Sequence, residues 1–366
     1  LHSDIIVIGG GIAGVSAAAR LAAGASVTLL ETEARIGSHS SGRSAAIFIQ
    51  NYGSLAMRDV NAAARAFFEN PAEITDLPLL APRGEMVVAR AEDDAAMDDY
   101  LRTAREVEIL STDQALALCP ILRPEAATRA AIERSAQTID CDLLLHGFAK
   151  LFRRLGGRTE TDAPAQSITR EGGMWRVATP KGEFTAPVLV NAAGAWSDTV
   201  AALAGLAPLG LVPHRRNAAI LPAPTGMEVD NWPMVVNAAE RWYLKPEAGK
   251  LMFSPCDAIA TTPHDAWSDD MELAEGLDRF DRDVTYEVTR VERSWAGLRT
   301  FAPDEVPVVG FDPRAEGFFW LAGQGGIGIQ TAPALAELAA ALILDRPAPL
   351  PEATTRALSP ERFASA

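Results

Sequence analysis

Asp4-Ile-Ile-Val-Ile-Gly-Gly-Gly-Ile-Ala-Gly14, with Ser26-Val-Thr-Leu-Leu-Glu31 close behind it, decides how the front of the chain folds. Each contains a short run rich in β-branched residues, the mark of a strand buried on both faces. The alanine-rich residues 11–23 between them read as a helix, and strand, helix and strand so closely joined make a βαβ unit. Gly9-Gly10-Gly11-Ile12-Ala13-Gly14 has the G-x-G-x-x-G spacing, which is weak alone. Here it ends a strand and opens a helix, and an acid, Glu31, closes the second strand. Gly9 permits the tight turn, Gly11 lets the backbone approach a pyrophosphate, and Gly14 lets helix and strand pack closely. The helix N-terminus presents amides and a positive dipole to phosphates. Glu31, with Thr32 beside it, is placed for the ribose hydroxyls. A bound dinucleotide is expected.

The rest of the composition narrows the class. With 366 residues the chain suits two interlocked domains rather than one core. Apolar residues at 48% and charged ones at 22% are the balance of a soluble globular protein. A formal charge of −15 argues against a nucleic-acid partner and favours a cationic or zwitterionic small molecule. Cys119, Cys141 and Cys256 are scattered and odd in number, so neither a disulfide framework nor a metal site is expected. No apolar run is long enough to span a bilayer, since the best, residues 332–344, carries Glu337. No secretory leader precedes the first strand. The expected setting is cytoplasmic, with peripheral membrane contact and oligomeric state left open.

Downstream, residues 32–44 read as a Gly- and Ser-rich loop, 54–69 as a helix, 85–89 as a strand and 93–107 as an exposed acidic helix. Asp140 is a plausible N-cap for a helix reaching Leu155, which Gly156-Gly157 ends. Three short strands follow at 166–170, 174–179 and 183–185, leading into Val188-Leu-Val-Asn191. Residues 209–300 are mostly strand, with one helix near 271–280. Phe318-Phe-Trp-Leu-Ala-Gly323 reads as a buried strand, 324–328 as a loop, and a final helix ends near Leu344.

Three features favour FAD over NAD. The loop Gly37-Ser-His-Ser-Ser-Gly-Arg43-Ser44 lies where a longer cofactor continues from the second strand. The three-strand meander before Leu189-Val-Asn-Ala-Ala-Gly194 matches the second half of an FAD domain. Gly323-Gln-Gly-Gly-Ile-Gly328 opens onto a helix whose first turn is expected to contain Thr331 and Pro333, and whose N-terminus suits negative charge on a flavin ring.

These segments, with Ser40-Ser-Gly-Arg-Ser-Ala-Ala46, Ala64-Arg-Ala-Phe-Phe68, Gly84-Glu-Met-Val-Val88, Tyr243-Leu-Lys-Pro246, Trp295-Ala-Gly-Leu-Arg299 and Gly325-Gly-Ile-Gly-Ile-Gln-Thr331, resemble the family of D-amino-acid oxidases, glycine and sarcosine oxidases and related dehydrogenases. Within it they most resemble the bacterial D-arginine dehydrogenases. The resemblance runs from Asp4 to about Leu344. It implies an α/β (α+β) fold: a Rossmann-type FAD-binding domain from residues 1–45, 140–206 and 300–345, interleaved with a mixed-sheet substrate domain from 46–139 and 207–299. Residues 346–366 remain as a tail. FAD would be non-covalent, because residues 300–303, where some relatives carry a tethering Cys, have none. The cofactor would touch Ser40, Ser41, Gly42, Arg43, Ser44, Ala45, Ala46 and Ile47 in the first loop. It would also touch Ala165, Ala193, Gly194 and Trp196 in the middle, and Gly325, Gly326, Ile327, Gly328, Ile329 and Gln330 near the end.

For the substrate, an α-carboxylate is best gripped by arginine, whose planar fork bonds it twice. Arg299 and one of Arg215 and Arg216 are the candidates. Neighbouring strand residues face opposite ways, so only one of that pair reaches the pocket, and the resemblance selects Arg216. It further implies that Tyr243 bonds the carboxylate, that Tyr52 lies beside the amine and side chain, and that Glu85 meets a cationic side chain. Gly326 would allow close approach. One departure stands out: where the dehydrogenases have a histidine, this chain has Ile47. No general base is evident, and His39 and His214 read as loop or surface residues. The position where oxidases often carry an oxygen-activating lysine falls at Phe253 or Ser254, which leans toward a dehydrogenase passing electrons to a quinone or other carrier. The implied reaction is hydride transfer from Cα of a D-amino acid to flavin, giving an imino acid that hydrolyses to a 2-oxo acid. The alternatives are oxidation of a secondary amine or 2-hydroxy acid, and a flavoprotein without catalysis.

Overall fold

Two large sheets divide the work of the chain in the computed structural model, which describes residues 1–363. The first has six strands, in spatial order Val308–Phe311, Phe318–Ala322, Val188–Asn191, Ile5–Ile8, Val27–Leu30 and Arg158–Glu160. Ile5–Ile8 is parallel to neighbours on both sides, Ile5 pairing with Val27 and with Val188. Its side chains alternate between two cores: Ile5 and Val7 join one with the helices Ile12–Leu21, Cys141–Arg154 and Gly328–Ile343. Ile6 and Ile8 join another with Ile168, Val177 and Phe184 of the three-stranded meander. Burial on both faces is why this strand reads as an unbroken apolar run. Gly9 sits at φ +112°, and a Cβ there or at Gly14 would collide with backbone carbonyls, of Ala192 and Gly9 respectively. The turn can be made only with glycine.

The second sheet runs Gln324–Gly325, Arg293–Phe301, Val212–Leu221, Lys250–Ser254, Tyr243–Glu247, Met234–Asn237, Glu85–Ala89, Arg129–Glu133 and Glu108–Leu110, with Ile259–Ala260 paired beside Val212–Leu221. Leaving the last parallel strand of the first sheet, Phe318–Ala322, the chain turns at Gly323 and immediately joins the edge of the second at Gln324–Gly325. The two sheets are therefore hinged at the terminal glycine loop, and the space between them opens there.

Several sequence expectations need adjustment. The acidic helix is shorter, Asp94–Thr103, and the strand Glu108–Leu110 follows it. Helices Thr112–Leu118 and Glu352–Leu358 were not anticipated; the first is fixed by a reciprocal Ser111–Gln114 capping box. The tail is docked, with Leu350 and Leu358 in the main core. The final helix begins at Gly328, so Pro333 lies in its second turn rather than its first. There it removes the donor that the Ile329 carbonyl would have used. Asp140 does cap its helix, accepting from the Leu143 amide at 2.8 Å. Among the described residues no helix is long and apolar enough to cross a membrane, and no group of three His, Cys, Asp or Glu is arranged to hold a metal ion.

Candidate active site

A cavity of about 220 Å³ lies between the sheets, and the glycine turns from the two ends of the chain both line it. Gly11 and Ala13 form one end. Ser40, Ser41 and Arg43 through Ile47 form a side, Gly194 and Ala195 a floor, and Gly325 through Gln330 the opposite rim.

The cofactor end suits FAD. The first amide of the helix Ile12–Leu21 is met by Ser41 Oγ at 2.9 Å, while the Ala13 amide, on the cavity wall, meets no protein acceptor among the described residues. Gly11 has open space before it, with only Ser41 Oγ near a notional Cβ. The helix Gly328–Ile343 likewise starts at the cavity with no side-chain cap. Two helix N-termini whose own N-cap residues supply no side-chain cap line one space, which fits a pyrophosphate at one helix and an electron-rich ring at the other. Glu31 is buried, and its oxygens already accept from the amides of Gly10 at 2.6 Å and Glu33 at 2.8 Å. Its fixed carboxylate keeps lone pairs for ribose hydroxyls.

Ser40, Arg43 and Gln330, all expected at the cofactor, have side chains engaged within the protein, Ser40 Oγ donating to the Leu298 carbonyl at 2.6 Å. The Arg43 guanidinium donates to the carbonyls of Ala266 at 2.6 Å and Ala296 at 3.2 Å and pairs with Asp265, latching the loop to the second sheet. The Gln330 amide is bonded wholly within the protein. Gly9, Gly14, Glu31, Thr32, Gly42, Ala165, Ala193 and Trp196 lie outside the cavity lining. Gly9, Gly14 and Gly42 act through the backbone contacts they permit, and Trp196 packs on His39 with ring centroids 4.7 Å apart.

At the other end Tyr52, Glu85, Arg216, Tyr243, Arg299 and Gly326 line the same space. Arg216 faces it, while Arg215 turns to the far side of the strand and pairs with Asp269 and Glu272 at 3.2 and 2.8 Å. Arg216 Nε donates to the Asp257 carbonyl. Arg299 is open only toward the cavity, and among the described residues no ion pair or hydrogen bond engages its guanidinium. Gly326 lies against it, a notional Cβ falling 3.0 Å from Arg299 Cζ. Burial raises the pKa of the Tyr52 and Tyr243 phenols, with Arg299 pulling both the other way, so at neutral pH both are hydrogen-bond donors.

Glu85 is buried on its strand, not exposed, and faces Glu133 in the antiparallel register. Burial, then Glu133 and Glu240, push its carboxyl up to about 8. A second chamber of about 460 Å³ shares Tyr52, Glu85, Glu240, Gln324 and Gly326 with the first and continues past Arg58, Tyr100 and Glu305. Sequence reasoning missed Met234, Val236, Glu240, Cys256 and Gln324, all of which line the inner cavity. Alternation along Met234–Asn237 was the available signal for the first two; Glu240 and Cys256 sit in loops, and Gln324 in a strand of two residues. Ile47 packs with Met234 and Tyr243, so the wall that replaces the histidine is apolar.

Of the two positions considered for a lysine, Phe253 points into the core of the other face, and Ser254 donates to the Asn217 carbonyl at 2.7 Å. Met252, on the same face of the strand as Ser254, packs with Met234 and Tyr243. Opposite it in register stands a lysine that the sequence reading passed over: Lys245, 2% exposed, donates to the Ala45 carbonyl at 2.7 Å and pairs with Glu247 at 2.8 Å.

The family model described as FAD dependent oxidoreductase matches residues 4–342. A glycine oxidase of Bacillus licheniformis is 25% identical over 367 residues, which cover 94% of this chain and 94% of that protein. Among solved structures, an L-proline dehydrogenase from P. horikoshii superposes with a TM-score of 0.85 at 23% identity, over 100% of this chain and 98% of that one. An L-amino acid deaminase from Proteus myxofaciens, in complex with anthranilate, does so with a TM-score of 0.81 at 17% identity, over 99% and 94%. Structural likeness at these identities speaks for the fold.

Proposed function

The chain belongs to the DAO family of FAD dependent oxidoreductases, and from that premise we propose that it oxidatively deaminates a D-amino acid whose side chain points toward Glu85. Bound FAD supplies the two-electron acceptor. The observation that carries the reading is Arg299: a guanidinium that lines the cavity with Arg216, Tyr52 and Tyr243 and has no carboxylate within ion-pair distance among the described residues, Glu240 acting on it only from further off. A buried cation without a counter-charge is costly, so such a site is built for an incoming anion. An α-carboxylate satisfies it, taking a two-pronged bond from Arg299, a contact from Arg216 and a hydrogen bond from Tyr243.

Held at that end, the substrate directs its amine and side chain toward Tyr52 and Glu85. Gly326 leaves room for Cα to approach the ring, and much of the acceleration comes from this positioning. The Cα hydrogen and two electrons leave the substrate. The imino acid then takes up water and releases ammonia, giving a 2-oxo acid, and electrons pass to a quinone or another carrier. Chirality rests on the sequence resemblance. A second reading, oxidation of a secondary amine, draws on the apolar wall of Ile47, Met234 and Val236, which suits an N-alkyl group or a ring. Anaerobic bleaching of the flavin band by D- and L-amino acids, sarcosine, proline and a 2-hydroxy acid separates these readings. Bleaching by D-amino acids supports the first and by sarcosine or proline alone the second. A flavin that none of them bleaches refutes both.

A further inference from the structure

Tyr52 stands on residues 49–53, a stretch that belongs to no helix or strand. Side chains nevertheless hold most of its main chain. The Ile49 amide donates to Gln330 Oε1 and the Ile49 carbonyl accepts from Gln330 Nε2, each at 3.1 Å. The amides of Gln50 and Asn51 donate to the two oxygens of Glu133 at 2.7 and 3.2 Å. Asn61 Nδ2 donates to the carbonyls of Tyr52 at 3.0 Å and Gln50 at 3.4 Å, and Asn61 Oδ1 accepts from Gln330 Nε2 at 2.7 Å. Asn61, Glu133 and Gln330 are 0%, 1% and 3% exposed. They come from three separate elements, Leu55–Glu69, Arg129–Glu133 and Gly328–Ile343.

A buried segment outside helix and sheet needs side chains to satisfy its backbone N–H and C=O groups, and such a network is favourable only when every member is satisfied. This one is complete, and it converges on the backbone beside the tyrosine at the junction of the two chambers. We propose that Gln330, Asn61 and Glu133 are positioning residues that fix Tyr52 in the substrate pocket, Gln330 tying that contact to the helix whose N-terminus faces the flavin. The assignment rests on the reading of Tyr52 as a substrate contact. It gives the Gln330 side chain a task other than touching the cofactor, and it makes the geometry of the substrate end depend on the helix at the cofactor end.

The test uses the holoenzyme with Gln330→Met, Asn61→Ala and Tyr52→Phe, alone and with Tyr52→Phe joined to each of the others. Hydrogen exchange at the amides of residues 49–53 is expected to quicken at least about tenfold in Gln330→Met and Asn61→Ala, with exchange across residues 9–15 unchanged and FAD retained. With the amino acid that bleaches the flavin fastest, each of these two is expected to raise KM about tenfold and leave kcat within about twofold. Added to Tyr52→Phe, either should cost no more than about twofold further, because the same contact is already lost. Unchanged exchange, or losses that multiply in the double variants, overturns the assignment. So does release of FAD by Gln330→Met while Asn61→Ala keeps a wild-type KM. A Tyr52→Phe enzyme with a wild-type KM overturns instead the reading on which the assignment rests.

Discussion

Replacing Glu85 by glutamine removes a charge that the folded protein resists forming. With its carboxyl pushed up to about 8 by burial and by Glu133 across the strand, only about one Glu85 in ten is ionised at pH 7, and ionising it there costs about 1.4 kcal/mol. A charge-assisted bond to a cationic side chain returns roughly 1.5–3 kcal/mol. Selection for cations should therefore be faint near neutral pH and full only above pH 8. The ratio of kcat/KM for D-lysine over D-norleucine is expected to rise about tenfold from pH 7 to pH 9 and then level off. Taking a ratio cancels ionisation of the α-amine, which both substrates share. In Glu85→Gln the ratio should be flat, and at pH 9 roughly 10- to 100-fold below the wild-type value. The measurement is initial rate with an artificial acceptor across pH 6–9.5 (roughly the span in which the carboxyl titrates). The same rise in the variant, or equal losses for both substrates, refutes the reasoning.

The same carboxyl shapes stability. Its pKa is higher folded than unfolded, so its contribution is complete below about 4.5 and is lost as pH rises through about 8. That amounts to about 5 kcal/mol at most; denaturation of Glu85→Gln at pH 5 and pH 9 should show a flatter profile than wild type, and parallel profiles would count against the buried-acid picture. Gly14→Ala sets a methyl against the Gly9 carbonyl, where only backbone can give way, and should strip FAD and cost about 1–3 kcal/mol or more, read by bound-flavin absorbance and melting. Arg299→Met should cut kcat/KM by at least about 30-fold for carboxylate substrates, a loss of 2–5 kcal/mol. The substrate-free protein should be no less stable, since an uncompensated buried charge is removed; a large fall in its melting temperature would mean that Arg299 has a structural partner. Lys245→Met frees the Ala45 carbonyl and should weaken FAD about tenfold, roughly the worth of one hydrogen bond to a charged group, whereas unchanged affinity would place that loop under other control.

The front of the molecule was legible because its strands are buried on both faces and its turn admits only glycine, two constraints that leave marks in local sequence. The split between Arg215 and Arg216 was legible for the same kind of reason, since adjacent strand residues must face apart. Glu85 was not. Its raised pKa comes first from burial and then from Glu133, which meets it only through strand register, and register is set by the whole sheet. The choice between Phe253 and Ser254 was a choice between the two faces of one strand, since a shift of one residue exchanges them. Glu240 and Cys256 sit in loops and Gln324 in a strand of two residues, where no periodicity announces which way a side chain points. Thr112–Leu118 is too short to show a helical period, and only its capping box betrays it.

The order of the six-stranded sheet has a consequence for biosynthesis. Ile5–Ile8 is made long before one of its two neighbours, Val188–Asn191, and longer still before the strand beyond that, Phe318–Ala322. At ordinary translation rates the wait is on the order of tens of seconds. Throughout it the nascent chain carries an apolar strand with one edge unpaired, a hazard that chaperones must cover. Because the closing loop follows Phe318–Ala322, FAD can be captured only after residues 323–328 have been made. Products cut short before that point cannot be rescued by adding cofactor.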